Sequence, residues 1–293
     1  MATLLNPMPD YLTSIEDGRP APAINARIAR QLWAFAELIE GQGANHYRVQ
    51  AYKRASITVR SLDQPVDKIL SLKGRQGLID LPTIGVGIAS AIAEMIMTGH
   101  WSQLDRLKGE HSPEQLFKTI PGVGNELAER FSDELHLETL EDLEVALHTP
   151  ETCVKGLGPR RKEAIIAVLT ARLGSSSATA TFYDKTHKPP LQMVLEVDSD
   201  YRKAATAGSL HLIAPKRMNP TGTAWLPIMH SQRGDWQFTA LYSNTARAMR
   251  AGMMMDWVVV IYQAEGYLEG RCTVVTEHHG SRTGQRIVRG LDV

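Results

Sequence analysis

No sign of charge prevails in this 293-residue sequence: 32 lysines and arginines face 32 aspartates and glutamates. Global charge therefore says nothing about partners, and only its distribution is informative. Two cysteines, Cys153 and Cys272, are too few for a disulfide framework and read as small reduced residues. No apolar run approaches the roughly 20 residues that a membrane-spanning helix requires. The opening stretch, MATLLNPMPDYLTSIEDGRPAP, lacks a basic segment followed by an apolar one. It reads as a flexible leader, residues 1–22, and not as a signal peptide. These absences lead to the expectation of a soluble, cytoplasmic protein with no membrane partner. With 43% hydrophobic and 22% charged residues, the chain can build real cores, and its length suits two ordinary domains.

The two halves differ in period. In the first, Ile24, Ile28, Leu32, Phe35 and Ile39 recur every three or four residues, one face of a helix that Gly41 and Gly43 end. A second helix is expected from about Tyr47 to Leu62. Ser112 before Pro113, Thr139 before LEDLEVALH, and Pro159 before RRKEAIIAVLTARL mark three further helix starts. The polar stretch 175–190, ending in two prolines, reads as a linker. Beyond it, LQMVLEV, AWLPIMH, WQFTALYS, WVVVIYQ and CTVVTEH read as strands, with SQRGD and AEGYLEG as hairpin turns. A short helix, DSDYRKAATAG, is expected after the first strand, and another over about 244–251. The expected architecture is multi-domain: an all-α helix-hairpin-helix N-terminal region followed by a small α+β domain over 191–293.

One motif occurs three times. LPTIGVGIASAI (81–92), IPGVGNELAERF (120–131) and VKGLGPRRKEAI (154–165) superimpose without gaps. Each places a glycine hairpin before a helix start, with an apolar residue seven positions after Gly85, Gly124 and Gly158: Ile92, Phe131 and Ile165. The first amides of a helix have no intrahelical acceptor and carry the positive end of its dipole, so an anion can sit there. On nucleic acid that anion is a backbone phosphate. The candidate contacts are Gly85 and Gly87, Gly122 and Gly124, and Gly156 and Gly158. The alternative is that the hairpins serve helix packing alone. Arg160, Arg161 and Lys162 stand in the first turn of the third helix, where cations oppose the dipole unless an anion is expected.

Charge is distributed unevenly over these copies. Residues 110–151 carry eleven acids against Lys118 and Arg130, a net of −9, so the second copy is a poor phosphate site by charge. Residues 44–75 carry a net of +5, with Arg48, Lys53 and Arg60 among the cations. The first and third copies, with the helix from Tyr47, are expected to face nucleic acid.

The runs NHYRVQAYKRASITVRSL, LPTIGVGIASAIAEMIMTG and IPGVGNELAERF…LETLEDLEVAL resemble the N-terminal part of family X DNA polymerases, especially the bacterial ones, over residues 24 to about 148. The resemblance implies a lyase-like helix-hairpin-helix domain, over 23–110. A second hairpin module follows and, with the third copy, which resembles hairpins of other DNA-repair proteins, fills 111–174. It implies binding to gapped, nicked, branched or damaged DNA, with hairpin carbonyls sometimes holding a monovalent cation and no other cofactor. Tyr52 and Lys53 match a family run that touches DNA. The positions where family lyases carry their Schiff-base lysine fall on Gly87 and Ala91, which have no amine; Lys53 is the remaining candidate. The paired-aspartate palm motif has no counterpart here.

The second domain resembles no family. Its cations cluster, as Arg202 and Lys203, Lys216 and Arg217, and Arg282, Arg286 and Arg289, with Tyr201, Trp225, Trp236 and Trp257 among them. Aromatics beside cations can stack on bases; strand tryptophans are otherwise core. Ser243, Asn244 and Thr245 cap a helix with Arg247 one turn in, a second candidate anion site or a plain cap. His230, Glu277, His278 and His279 have no metal-ligand spacing. Three functions follow: a structure-dependent DNA-binding protein of repair or recombination, a nuclease or abasic-site lyase with its site in the second domain or at the domain interface, or a module for protein partners.

Overall fold

The computed structural model describes residues 21–109, 113–135, 137, 140–149, 152–173, 187–216, 219–267, 269–278 and 280–291. The leader, most of the linker, the caps expected at Ser112 and Thr139, and Arg217 and His279 lie outside them, as does the side chain of Arg247. The N-terminal region is helical: α1 (Ala23–Gly41), α2 (His46–Ser61), α3 (Val66–Ile79), α4 (Val86–Thr98), α5 (Ser102–Leu107), α6 (Pro113–Lys118), α7 (Asn125–Asp133), α8 (Leu140–His148) and α9 (Pro159–Leu173). α1 forms on the expected stripe and buries Ile28, Leu32, Phe35 and Ile39. It packs on α2, whose Val49, Tyr52, Ala55 and Val59 face it at spacings of three and four. The Asn45 side chain accepts the Tyr47 amide at 2.7 Å and starts α2. α6 to α9 close over a separate apolar cluster in which Phe117 meets Phe131 edge-on at 5.9 Å.

The C-terminal region opens with a helix and not a strand: LQMVLEV belongs to α10 (Leu191–Thr206). Over seven residues the run fits both periods. The longer element settles it, because Val194, Val197, Asp198 and Tyr201 recur at helical spacing and are buried together. The separate short helix expected at DSDYRKAATAG is the second half of α10, so Glu196, Asp198 and Asp200 lie on one helix. A single antiparallel sheet follows, β1 (His211–Ile213), β2 (Leu226–Arg233), β3 (Trp236–Tyr242), β4 (Val258–Ala264), β5 (Gly270–Thr276) and β6 (Arg286–Arg289), paired in sequence order. The short helix α11 (Ala246–Arg250) joins β3 to β4. β2 to β5 are the four expected strands; β1 and β6 are short edge strands.

The register assigns the two faces of the sheet. Tyr242, Val258, Val274 and Val288 form one row across it, beneath α10. There the buried Tyr201 hydroxyl donates to the Pro227 carbonyl at 2.9 Å and accepts the Tyr242 amide at 2.8 Å. Asp198, 1% exposed, pairs with Arg286 at 2.6 Å, and Arg286 also reaches Asp256 at 2.8 Å. Arg286 and Tyr201 are therefore structural and take no part in an exposed cationic or stacking surface.

His230, Thr239, Ile261 and Arg271 form a row on the opposite face, toward the N-terminal helices. His230 Nε2 donates to the Gln42 amide oxygen at 2.8 Å, and its Nδ1 accepts the Thr239 hydroxyl at 3.0 Å. Arg106 and Gln103 hold Glu269 at 3.0 and 2.6 Å. The Lys216 amide donates to the Gly109 carbonyl at 2.6 Å. One continuous apolar cluster consequently runs from α1 through the sheet to α10.

Candidate nucleic-acid interface

The three motif copies have one geometry. In each, an amide closes a tight turn: Ile84 to the Leu81 carbonyl at 3.2 Å, Val123 to Ile120 at 3.0 Å, Leu157 to Val154 at 3.0 Å. The third turn residue has positive φ in every copy: Thr83 at 65°, Gly122 at 88° and Gly156 at 83°. The following helices begin identically, with Ala89 bonding Gly85 at 2.9 Å, Ala128 bonding Gly124 at 3.0 Å and Lys162 bonding Gly158 at 2.9 Å. The amides between turn and first helical bond have no intrahelical acceptor, and no side chain caps α4 or α7. Each helix is anchored by the residue seven positions on, and Ile92, Phe131 and Ile165 are all fully buried.

Copy one carries the departure. Thr83 is the one non-glycine residue with positive φ among those described, a strained place for a β-branched side chain. Its hydroxyl shares a 2.9 Å hydrogen bond with that of Thr58 and ties the hairpin to α2. Arg54, exposed, is one turn from Thr58 on the same stripe. Tyr47, 83% exposed, extends that stripe through Ala51. Arg54 counts among the cations of 44–75 and Tyr47 opens the helix expected to face nucleic acid, but neither stands out as a site residue in the sequence; their spacing to Thr58 is the available signal.

The other copy-one candidates turn away from this surface. Tyr52 is a core residue, 4% exposed, its ring 4.5 Å from Phe35 and 5.8 Å from Trp101. Burial raises its hydroxyl above the usual tyrosine range, opposed by nearby Arg48. A ring so enclosed has no face to offer a strand. Arg48 is half-buried with its guanidinium 5.8 Å from the Phe35 ring. Lys53 pairs with Glu40 at 2.7 Å, and Arg60 is half-buried. Gly87 is approached so closely by the Gln263 amide of β4 that a Cβ would collide with it. Ala91 is buried. The helix face that bears the lysine in family lyases is thus packed.

Copy three is open. Gly156, Gly158, Arg160 and Arg161 are exposed and Lys162 is half-buried. The Arg161 guanidinium donates to the Gly156 carbonyl at 3.2 Å, bringing a cation to the turn. Arg130 of α7 donates to the Lys155 carbonyl at 2.5 Å and braces the same hairpin. Gly122 and Gly124 of copy two are also exposed, but Glu126 stands beside them with 84% of its side chain in solvent. Convergent amides with flanking cations suit a phosphate; amides flanked by a carboxylate do not.

In the C-terminal region, α11 spans five residues, and Thr245 caps it by accepting the Ala248 amide at 3.1 Å. Capping accounts for Thr245. Burial pushes the His230 imidazole down to about 3, helped by Arg48 and His211, so it is neutral and held by the interface. Among the described residues no cluster of histidine, cysteine, aspartate or glutamate could hold a metal ion.

Residues 23–101 match the family model of the helix-hairpin-helix domain. The chain is also similar to the DNA polymerase/3'-5' exonuclease PolX of Bacillus subtilis (strain 168), with 29% identity over 145 residues. That match takes in 48% of this chain and 24% of the relative, so it spans about a quarter of the relative's length. The helix-hairpin-helix region is related to that of X-family polymerases.

Proposed function

We propose that this chain is a structure-dependent DNA-binding protein of repair or recombination that grips the phosphate backbone through its helix-hairpin-helix motifs. The observation that carries this reading is the repeated hairpin, closed by the same hydrogen bonds in all three copies, with no side chain capping the helix that follows in the first two. Copy three supplies the strongest grip, through Arg160, Arg161 and Lys162. Copy one supplies a second, through Gly85 and the Arg54 side of α2. The relative is by name a DNA polymerase and exonuclease, which supports DNA as the partner. A monovalent cation belongs to the same reading. The turns offer neutral backbone carbonyls, the kind of oxygen that replaces the hydration shell of a monovalent ion.

The test is equilibrium binding to intact, gapped, abasic, forked and single-stranded DNA over a salt series. Affinity should fall steeply with salt, by about 0.9 log unit per log unit for each phosphate held on a duplex. Replacing Arg160, Arg161 and Lys162 together by glutamate should lower both affinity and slope. Weak binding that ignores salt and this variant would overturn the reading. Cleavage on the same panel, or a borohydride-trapped adduct lost in Lys53→Ala, would support instead a nuclease or lyase.

A further inference from the structure

A cleft of about 370 Å3 lies between the sheet and the helices of the second copy. Its floor is the sheet face opposite α10. The register sets Leu241, Val259, Thr273 and Arg289 in one row across β3 to β6, with Ile261 and Arg271 in the next. The floor therefore changes from aliphatic over β3 and β4 to cationic over β5 and β6. Arg271 and Arg289 are diagonal neighbours, within reach of one group; Glu277 lies 4.0 Å from Arg289 and Asp142 also lines the cleft, so a phosphate would share these cations with carboxylates. Leu135 and Leu137 line the cleft from the helical side, so both the sheet and the helices contribute aliphatic side chains to it. Asn244 lines it too, and its Oδ1 is buried with no hydrogen-bond partner among the described residues. An unmet buried acceptor is costly, and a ligand donor would relieve it.

These features select a ligand. A slot between aliphatic walls takes a flat apolar ring. Two guanidiniums at one end take a phosphate, which they hold in a forked geometry. An unmet amide oxygen takes an exocyclic amino group. The volume lies within the range of small-ligand sites. We propose that this cleft binds a nucleotide, with its base between Leu135, Leu137 and the Leu241–Val259 floor and its phosphate at Arg271 and Arg289. The site is separate from the hairpins: they hold backbone, whereas the cleft encloses one whole nucleotide. That nucleotide is either free or a residue turned out of a bound strand, and unstacking it from a strand costs a few kcal/mol.

The experiment titrates the full chain into 2-aminopurine deoxyribonucleoside monophosphate, and separately into single-stranded oligonucleotides with one internal 2-aminopurine, reading its fluorescence. Val259→Trp fills the apolar end; Arg289→Gln removes a half-exposed cation with little risk to folding, and thermal melting checks both variants. Saturable binding of the free nucleotide, weakened about tenfold or more by both variants, supports the site with a free ligand. A response only from the oligonucleotide, equally weakened, supports it with a strand as source. No response in either arm from folded protein overturns the proposal, as does a response that neither variant changes. Affinity for unlabelled duplex, which the hairpins govern, is measured alongside. Its loss together with a retained free-nucleotide signal would sink the hairpin reading and leave the cleft standing.

Discussion

At the scale of single residues, Gly109 joins the helical and sheet regions. Its φ of 72° lies in the left-handed region, and a Cβ there would overlap the Ala214 carbonyl oxygen and crowd Pro215. Its own carbonyl accepts the Lys216 amide, so the two segments touch backbone to backbone. Neither can yield as a side chain would. Gly109→Ala should cost at least about 2 kcal/mol of stability, measured by chemical denaturation. An unchanged midpoint would show that the two regions are not packed this closely in solution. Arg286 illustrates the same dependence on distant partners. In sequence it is one of three cations in the C-terminal tail, open to any anion. In the fold it is engaged by Asp198 and Asp256, and hydrogen bonds from Thr276 and the Arg286 charge hold the Asp256 carboxyl below its usual range despite burial.

At the scale of elements, the hairpins are the most local structures in the molecule. Their turn, positive-φ residue and helix start all lie within about ten residues, so the pattern was readable without tertiary information. What differs between copies is support from outside. Hairpin three leans on Arg130 from α7, whose guanidinium also lies 2.9 Å from where a Cβ of Gly156 would sit. The second copy, electrostatically unsuited to phosphate, thus braces the third. Arg130→Gln should leave the fold intact and speed amide hydrogen exchange at Gly156–Lys162, with salt-dependent DNA affinity falling in step. Exchange unchanged at those amides would mean that the brace is idle. α10 is the contrasting element. LQMVLEV satisfies strand and helix periods alike, and only the buried Asp198 and Tyr201 further along choose between them.

At the scale of the whole molecule, the helical region and the sheet share one apolar cluster, and His230 sits in the seam. Its folded pKa is about 3, below the ordinary value of 6.5. The unfolded chain therefore binds a proton below pH 6.5 that the folded chain refuses. The sign follows: this contribution to stability is fully present above pH 6.5 and is lost as pH falls from 6.5 toward 3. His230→Asn should flatten the fall in melting temperature across that window. An equally steep fall in the variant would place the acid sensitivity elsewhere.

Local chemistry was legible in the sequence: the three hairpins, the α1 and α2 stripes, the β2 to β5 meander and the uneven charge all follow from spacing and turn residues. Tertiary structure alone decided which candidate groups remain available. Tyr52 is enclosed by Phe35 and Trp101, Gly87 by Gln263, and Arg286 by two aspartates, whereas Arg160 and Arg161 stay in solvent. The physical reason is range. A turn or a helix start is set by neighbours a few residues away, but burial depends on what packs from far along the chain, as Trp101 does on Tyr52, Asp198 on Arg286 and Gln263 on Gly87. The cleft belongs to that second class, since Leu135 and Leu137 of its helical wall stand about a hundred residues or more before the floor residues Leu241, Val259, Arg271 and Arg289.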